Sequence, residues 1–232
     1  MRKNTLIVGG SSGIGLSLVK QLQSNHNLFV ANRSNEALNG LSVEFIPYDV
    51  ENGELEVTKL PETLHGLVYC PGTINLRPFK GLKPEVFNRD FSINVMGAIK
   101  TLQAVLGRLQ NNEVPASVVF FSTVAVQTGM PFHSSVATAK GALEGLSRSL
   151  AAELAPKIRF NVLAPSLVDT PLAEKFLNND TKKSNAEGRH PLQRIGSPEE
   201  IAKMVTFLLG DQSSWITAQT ITIDGGIGSI KS

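Results

Sequence analysis

Short β-branched runs alternate along the chain with longer stretches of helical spacing. "TLIVG" precedes "GIGLSLVKQLQ", "LFVAN" precedes "SNEALNGL", "VEFIP" and "LHGLVYC" follow, and "SVVFFS" leads into a long helical region. Near-continuous apolar runs bounded by turn residues fit strands buried on both faces, with the helical segments as crossovers. The alternation predicts an α/β fold, a doubly wound parallel sheet with helices on both faces, in a single domain over residues 1–232.

From Pro84 to Leu109 apolar residues recur at helical spacing, broken by Gly97 and Gly107, and 134–155 repeats the theme with many small residues, "ATAKGALEGLSRSLAAELA". Small residues let a second helix approach closely, either inside the chain or from another copy of it, and composition leaves both open. Between Pro171 and Pro191 the chain turns polar, "LAEKFLNNDTKKSNAEGRHP". Residues 171–190 are expected to form a mobile substrate flap beside the carboxyl edge of the sheet. The following "SPEE" signals a helix, with Ser197 as its cap and Pro198 in its first position.

Composition narrows the class. Hydrophobic residues make up 41% and charged residues 18%, an ordinary globular balance. The formal charge of +2 is scattered, which argues against a nucleic-acid or anionic-membrane surface. Cys70 is the only cysteine, so no internal disulfide forms, and "NTLIVGG" reads as a core strand with no cleavable signal. No apolar run approaches the ~20 residues of a membrane span. A soluble, cytoplasmic protein without a metal site is expected.

"LIVGGSSGIG" places Gly9, Gly13 and Gly15 directly after the first strand and at the start of a helix. Glycines there allow a tight turn, bring backbone N–H groups close to a diphosphate and aim the helix amino terminus at the anion. Strand before and helix after is the context that makes such a loop a nucleotide site.

The spacing Gly-x-x-x-Gly-x-Gly resembles that of the short-chain dehydrogenase/reductase family, and the resemblance extends over nearly the whole chain. It includes Asp49-Val50, "SINVMG" with Asn94, "VVFFSTVA" with Thr123, Lys140 in "GALEGLSRSLAAELAP", "IRFNVLAPSLVDTPL" and "HPLQRIGSPEEIAKMVTFLLGDQSSWITAQTITIDGG". The resemblance implies a Rossmann-type domain of about seven strands, an NAD(P)(H) cofactor, and a homotetramer or homodimer built on the two long helices. It also implies that Asp49 and Val50 frame the adenine, that Cys70 and Gly72 lie by the adenosine ribose, and that Thr170 meets the nicotinamide amide. Ser11, Ser12 and Ile14 belong to the loop itself.

The end of the second strand bears on cofactor choice. An acidic residue there would pair with the ribose hydroxyls and repel a 2′-phosphate. Here the strand ends "VANRS", with Asn32 at the acidic position, Arg33 after it and Ser34 nearby. A guanidinium holds a phosphate bidentately and Asn removes the repulsion, so NADP(H) is favoured over NAD(H).

The family's reacting group comprises an asparagine, a serine, a tyrosine and a lysine. Matched residue by residue, these are Asn94, Thr123 in place of serine, Val136 in place of tyrosine, and Lys140. Thirteen positions separate Thr123 from Val136, the common family interval. Ser135 and Thr138 are turned away from the 136/140 face by roughly 100° and 200°, so neither simply replaces the phenol. Tyr69, near the end of the fourth strand, and His133, three positions before Val136, are weak substitutes. Further departures sit at the same edge: "YCPG" for the usual Asn-Asn-Ala-Gly, Ser166 in "APS" where Pro-Gly is usual, and Val8 opening the glycine loop.

The first expectation is therefore an NADP(H)-dependent oxidoreductase acting on a small carbonyl or alcohol by an atypical proton path. In it Thr123 polarises the carbonyl, Lys140 clamps the ribose and Asn94 supports a water relay. The alternatives are a catalytically silent nucleotide-binding member, a sensor or structural subunit, and an isomerase or eliminase that needs no phenol.

Overall fold

The computed structural model describes residues 2–230. Seven parallel strands form one sheet, β1 (Lys3–Val8), β2 (His26–Asn32), β3 (Val43–Pro47), β4 (Gly66–Tyr69), β5 (Ala116–Phe121), β6 (Ile158–Pro165) and β7 (Thr220–Ile223), in the order β3-β2-β1-β4-β5-β6-β7. The helices are α1 (Gly13–Leu22), α2 (Pro84–Phe91), α3 (Gly97–Gln110), α4 (Ala125–Thr128), α5 (Ser134–Leu154), α6 (Glu174–Leu177), α7 (Asp180–Glu187) and α8 (Pro198–Leu209). The expected doubly wound, Rossmann-type architecture is what the chain adopts.

Side chains alternate between the two faces of each strand, and the core divides accordingly. Leu6, Val8, Leu67, Tyr69, Val118 and Phe120 pack on one face with Leu102, Val105 and Leu109 of α3 and Leu143 of α5. Ile7, Val30, Val68, Val119 and Leu163 pack on the other with Leu18 and Val19 of α1 and Ile201, Val205 and Leu208 of α8. Strands covered on both sides explain why the sequence shows apolar runs instead of strict alternation.

Three segments depart from the sequence expectation. "SNEALNGL" forms only a 3-10 turn at Glu36–Leu38, because the single buried Leu38 gives a helix too little apolar surface to bury. The Pro84–Leu109 stretch is interrupted not at its glycines but by a π-helical turn, Ser92–Met96, and Gly107 lies inside an unbroken α3. Gly97 is required by packing, since a Cβ there would fall 2.2 Å from the Tyr69 hydroxyl. Finally, 171–190 is largely helical, folding into a 3-10 turn at Pro171–Ala173 followed by α6 and α7, with the Asn179 side chain capping α7 by accepting from Lys182 N–H at 2.9 Å. The capping box of α8 is formed as its sequence suggests, Ser197 and Glu200 satisfying each other's backbone amides.

The strand order reverses between β1 and β4. Successive strands run outward from β1 through β2 to β3, then restart at β4 and run the other way. At such a switch point the connections leave in opposite directions and open a crevice at the carboxyl ends of the strands.

Candidate active site

The crevice holds two chambers. The first, of about 500 Å³, is lined by Gly9, Ser11, Ser12, Gly13, Ile14 and Gly15 from the loop between β1 and α1, Asn32 and Arg33 after β2, Asp49 and Val50 after β3, and Cys70 and Gly72 after β4. Gly9 and Gly13 have φ of 82° and 49°, which favour glycine. A Cβ on Gly15 would lie 2.1 Å from the Gly9 carbonyl oxygen, so only glycine lets α1 begin this close to the loop. The first turn of α1 presents amides without intrahelical partners to this space.

Asn32 Nδ2 is buried without a hydrogen-bond partner, and Arg33 is exposed and in no ion pair among the described residues. An orphaned donor, a free guanidinium and a glycine-built amide cradle together fit an anionic dinucleotide. Thr170 packs over the loop, 3.1 Å from where a Gly13 Cβ would stand.

The second chamber, of about 890 Å³, extends from β4 to β7 and is lined mainly by apolar side chains, among them Leu76, Phe121, Met130, Phe132, Leu172 and Phe176. The two chambers share Ile14, Cys70, Gly72, Thr73, Thr170 and Leu172. Thr123, His133, Val136 and Lys140 all face the larger one. The α6–α7 segment contributes Phe176, Lys182 and Ala186 to the wall, so it covers the chamber as ordered helices.

Asn94 lines neither chamber. It sits in the π-helical turn, fully buried, its Nδ2 donating to Thr73 Oγ1 at 2.9 Å and to the Asp90 carbonyl at 2.7 Å. Its Oδ1 has no partner and points at Gly72, where a Cβ would come within 3.2 Å of it and within 3.1 Å of Lys140 Nζ. Lys140 is 7% exposed and forms no ion pair among the described residues. Burial pushes its pKa down to about 8, while the neighbouring Cys70 and Asp90 side chains oppose the shift. A buried acceptor and a buried ammonium thus converge on one glycine at the junction of the chambers.

Thr123 Oγ1 accepts from Ala125 N–H at 3.3 Å, which leaves its own proton for another acceptor. The neighbouring Ser122 hydroxyl is turned away, donating to Glu144 at 2.6 Å. Val136 is 4% exposed and lies one turn before Lys140. Ser135 donates to Asp90 and Thr138 donates to the Ser134 carbonyl at 2.7 Å, so both are engaged off the chamber as the helical phase requires. Tyr69 donates its hydroxyl to the Ile93 carbonyl at 2.6 Å and burial pushes its pKa up, which commits the phenol to the fold. His133 is bound at Nδ1 to the Pro131 carbonyl, 2.7 Å away. Burial raises the Cys70 thiol to about 12, so it is a packing group in this environment.

Two groups carried no signal in the sequence. Asp90 is fully buried and accepts from Thr73 and Asn75, each at 2.6 Å, and from Ser135, tying α2, the loop after β4 and α5 together behind Asn94. His190 is 3% exposed, with Nε2 at 2.9 Å from Ser166 Oγ. Asp90 stands four residues before Asn94, a helical spacing that by itself does not distinguish a buried carboxylate from a solvated one.

Comparison with known proteins bears on this geometry. Residues 9–228 match the family described as Enoyl-(Acyl carrier protein) reductase. The chain belongs to the short-chain dehydrogenase/reductase family. It is 32% identical over 235 residues to an L-xylulose reductase of Bos taurus, covering 97% of this chain and 96% of that protein. A short chain dehydrogenase family protein from Francisella tularensis superposes with a TM-score of 0.89 at 28% identity, covering 99% of this chain and all of that one. The structure of ElxO with NADP bound gives 0.89 at 25% identity over 99% of this chain and 100% of that chain. This short-chain dehydrogenase/reductase is accordingly an oxidoreductase of Rossmann nucleotide-binding fold, and no described helix is long and apolar enough to cross a membrane.

Proposed function

We propose that the chain is an NADP(H)-dependent oxidoreductase acting on a small carbonyl or alcohol without a tyrosine proton donor. The observation that carries this reading is the convergence of Lys140 Nζ and Asn94 Oδ1, both without charged or hydrogen-bonded partners, on the Gly72 junction between a glycine-built cleft and an apolar chamber. Leaving Asn94 Oδ1 buried without a partner costs about 1–3 kcal/mol, which a hydrogen-bond donor bound at the junction offsets.

The nicotinamide cofactor supplies or takes a hydride when bound. The amides of Gly9–Gly15 bind its diphosphate, and Arg33 with Ser34 holds a 2′-phosphate that Asn32 does not repel. Asp49 and Val50 bound the adenine end and Thr170 the amide end. Lys140 donates to the ribose hydroxyls and keeps that end positively charged. Thr123, its oxygen already accepting from Ala125, donates to the carbonyl oxygen of the substrate and stabilises negative charge there. Val136 stands where the family's tyrosine is expected, and Asn94 Oδ1 is placed to hold a water beside Lys140. Residues 171–190 serve as the substrate cover. Gly107 and Gly145, whose added Cβ atoms would meet nothing within 4 Å, leave the outer faces of α3 and α5 smooth enough for a second copy, which supports a homodimer or homotetramer through these helices.

NADPH oxidation over a panel of ketones with wild type and Lys140→Ala tests the reading. A large loss in the variant is expected, and identical rates would remove Lys140 from the mechanism. The rival, a silent nucleotide-binding member, draws on Val136 alone and fails once wild type turns over any ketone.

A further inference from the structure

The larger chamber contains a second pair of side chains arranged for proton exchange. Ser166 follows β6 directly, and its Oγ lies 2.9 Å from Nε2 of His190. On the other side of the ring, Nδ1 lies 2.8 Å from the Ala186 carbonyl. A carbonyl can only accept, so Nδ1 carries the proton of the neutral ring and Nε2 offers a lone pair to the Ser166 hydroxyl. The ring is held in place, buried beneath Gly225, whose added Cβ would lie 3.4 Å from His190 Cδ2. A hydroxyl backed by an oriented imidazole is the general form of a group that gives or takes a proton at a reacting oxygen.

Its place in the fold brings it to the reaction. β5 and β6 are adjacent, Phe121 stands opposite Leu163, and Val124 N–H donates to the Pro165 carbonyl at 3.1 Å. Thr123 and Ser166 therefore stand at neighbouring strand ends and face the same chamber as Lys140. A substrate in this chamber can therefore meet both hydroxyls.

On the reductase reading above, we propose that Ser166 exchanges the proton of the substrate oxygen and that His190, acting through it, is the source and sink of that proton. In alcohol oxidation the C–H hydride leaves for the nicotinamide, the O–H proton passes to Ser166 Oγ, and the serine's own proton passes to Nε2, giving a carbonyl and an imidazolium. In reduction the carbonyl carbon takes the hydride, its oxygen takes the Ser166 proton, and Nε2 of the imidazolium returns a proton to the serine. With Nδ1 turned to the Ala186 carbonyl, the neutral ring offers Nε2 to Ser166 as oxidation of a secondary alcohol requires, and Phe132, Leu172 and Phe176 give the chamber a wall suited to an apolar substrate body.

Ser166→Ala and His190→Gln are to be compared with wild type for NADPH affinity, by nucleotide fluorescence, and for turnover of ketones and alcohols. Unchanged affinity with kcat lowered by about 10²-fold in both is expected. Glutamine keeps a hydrogen-bonding side chain at 190 but cannot shuttle a proton, and added imidazole should restore part of the rate to His190→Ala. Independently of turnover, nitrogen-15 NMR of wild type should show His190 protonated at Nδ1, with an Nε2 signal that moves in Ser166→Ala. Wild-type rates in both variants, no rescue of a His190→Ala protein that still binds NADPH, or a neutral ring that carries its proton on Nε2 instead of Nδ1 would each overturn the relay and leave the oxidoreductase reading standing. NADPH binding with no turnover of any ketone or alcohol by wild type would end both.

Discussion

The two chambers are built by different means. The nucleotide cleft is made largely of backbone: glycines with positive φ, helix-end amides and a close approach between Gly15 and Gly9 that excludes any side chain. The larger chamber is made of side chains, with Thr123, Val136, Lys140, Ser166 and His190 arranged on an apolar wall. Backbone cradles tolerate almost no substitution, because a Cβ meets main chain that cannot yield. Side-chain sites can be re-equipped residue by residue while the strands beneath them stay in register. A side-chain site can therefore change its equipment while the backbone cradle beside it stays as it is.

The sharpest way to break the comparison is Gly15→Ala. The added methyl overlaps the Gly9 carbonyl oxygen, and NADPH affinity should fall at least ~10³-fold, about 4 kcal/mol, by calorimetry on folded protein. Weak loss would mean that the loop yields as easily as a side-chain site. On the other side of the junction, Val136→Tyr added to Ser166→Ala should raise carbonyl reduction by ~10²-fold with cofactor affinity level. An unchanged rate would show that a phenol at 136 cannot take over the proton transfer.

Lys140 stands against Gly72, where the two chambers meet, and its depressed pKa gives a stability signature. The folded protein releases this proton near pH 8, whereas the unfolded chain keeps it until about 10.5, so between those values the unfolded state binds more protons. The stability of cofactor-free protein should rise with pH across that window relative to Lys140→Met, by at most about 1.4 kcal/mol per pH unit. Parallel urea midpoints for the two proteins would show that the ammonium is not buried as the geometry requires. The smallest effect is expected at the rim of the cleft. Arg33→Ala should lower the preference for NADPH over NADH by roughly tenfold, about 1.4 kcal/mol, read as a ratio of kcat/KM values. An unaltered ratio would move the 2′-phosphate contact elsewhere.

Legibility in the sequence followed the same division. The glycine loop could be read because φ and close approach dictate residue type over a few consecutive positions. Asn94, Thr123, Val136 and Lys140 were expected from "SINVMG", "VVFFSTVA" and the α5 helix, and of these Thr123, Val136 and Lys140 line the larger chamber while Asn94 stands behind Gly72. Asp90 gave no such sign, since an acidic residue in an amphipathic helix ordinarily faces solvent, and only the meeting of α2 with α5 and the loop after β4 encloses it. His190 was invisible for a similar reason, its partner Ser166 being 24 positions away. The polar composition of 171–190 suggested a loop, yet local capping at Asn179 and burial of Ala186 against the chamber fold it into helices.

Residue order alone carried the layered fold, the alternation of strands and helices, and the glycine loop that lines the smaller chamber, because these depend on periodicity and on constraints acting over neighbouring residues. Tertiary structure alone decided which polar groups remain unpaired at Gly72, which tyrosine is consumed by a backbone carbonyl, and which hydroxyl an imidazole stands behind. Those outcomes depend on desolvation and on distances between segments remote in the chain, and no local pattern encodes either.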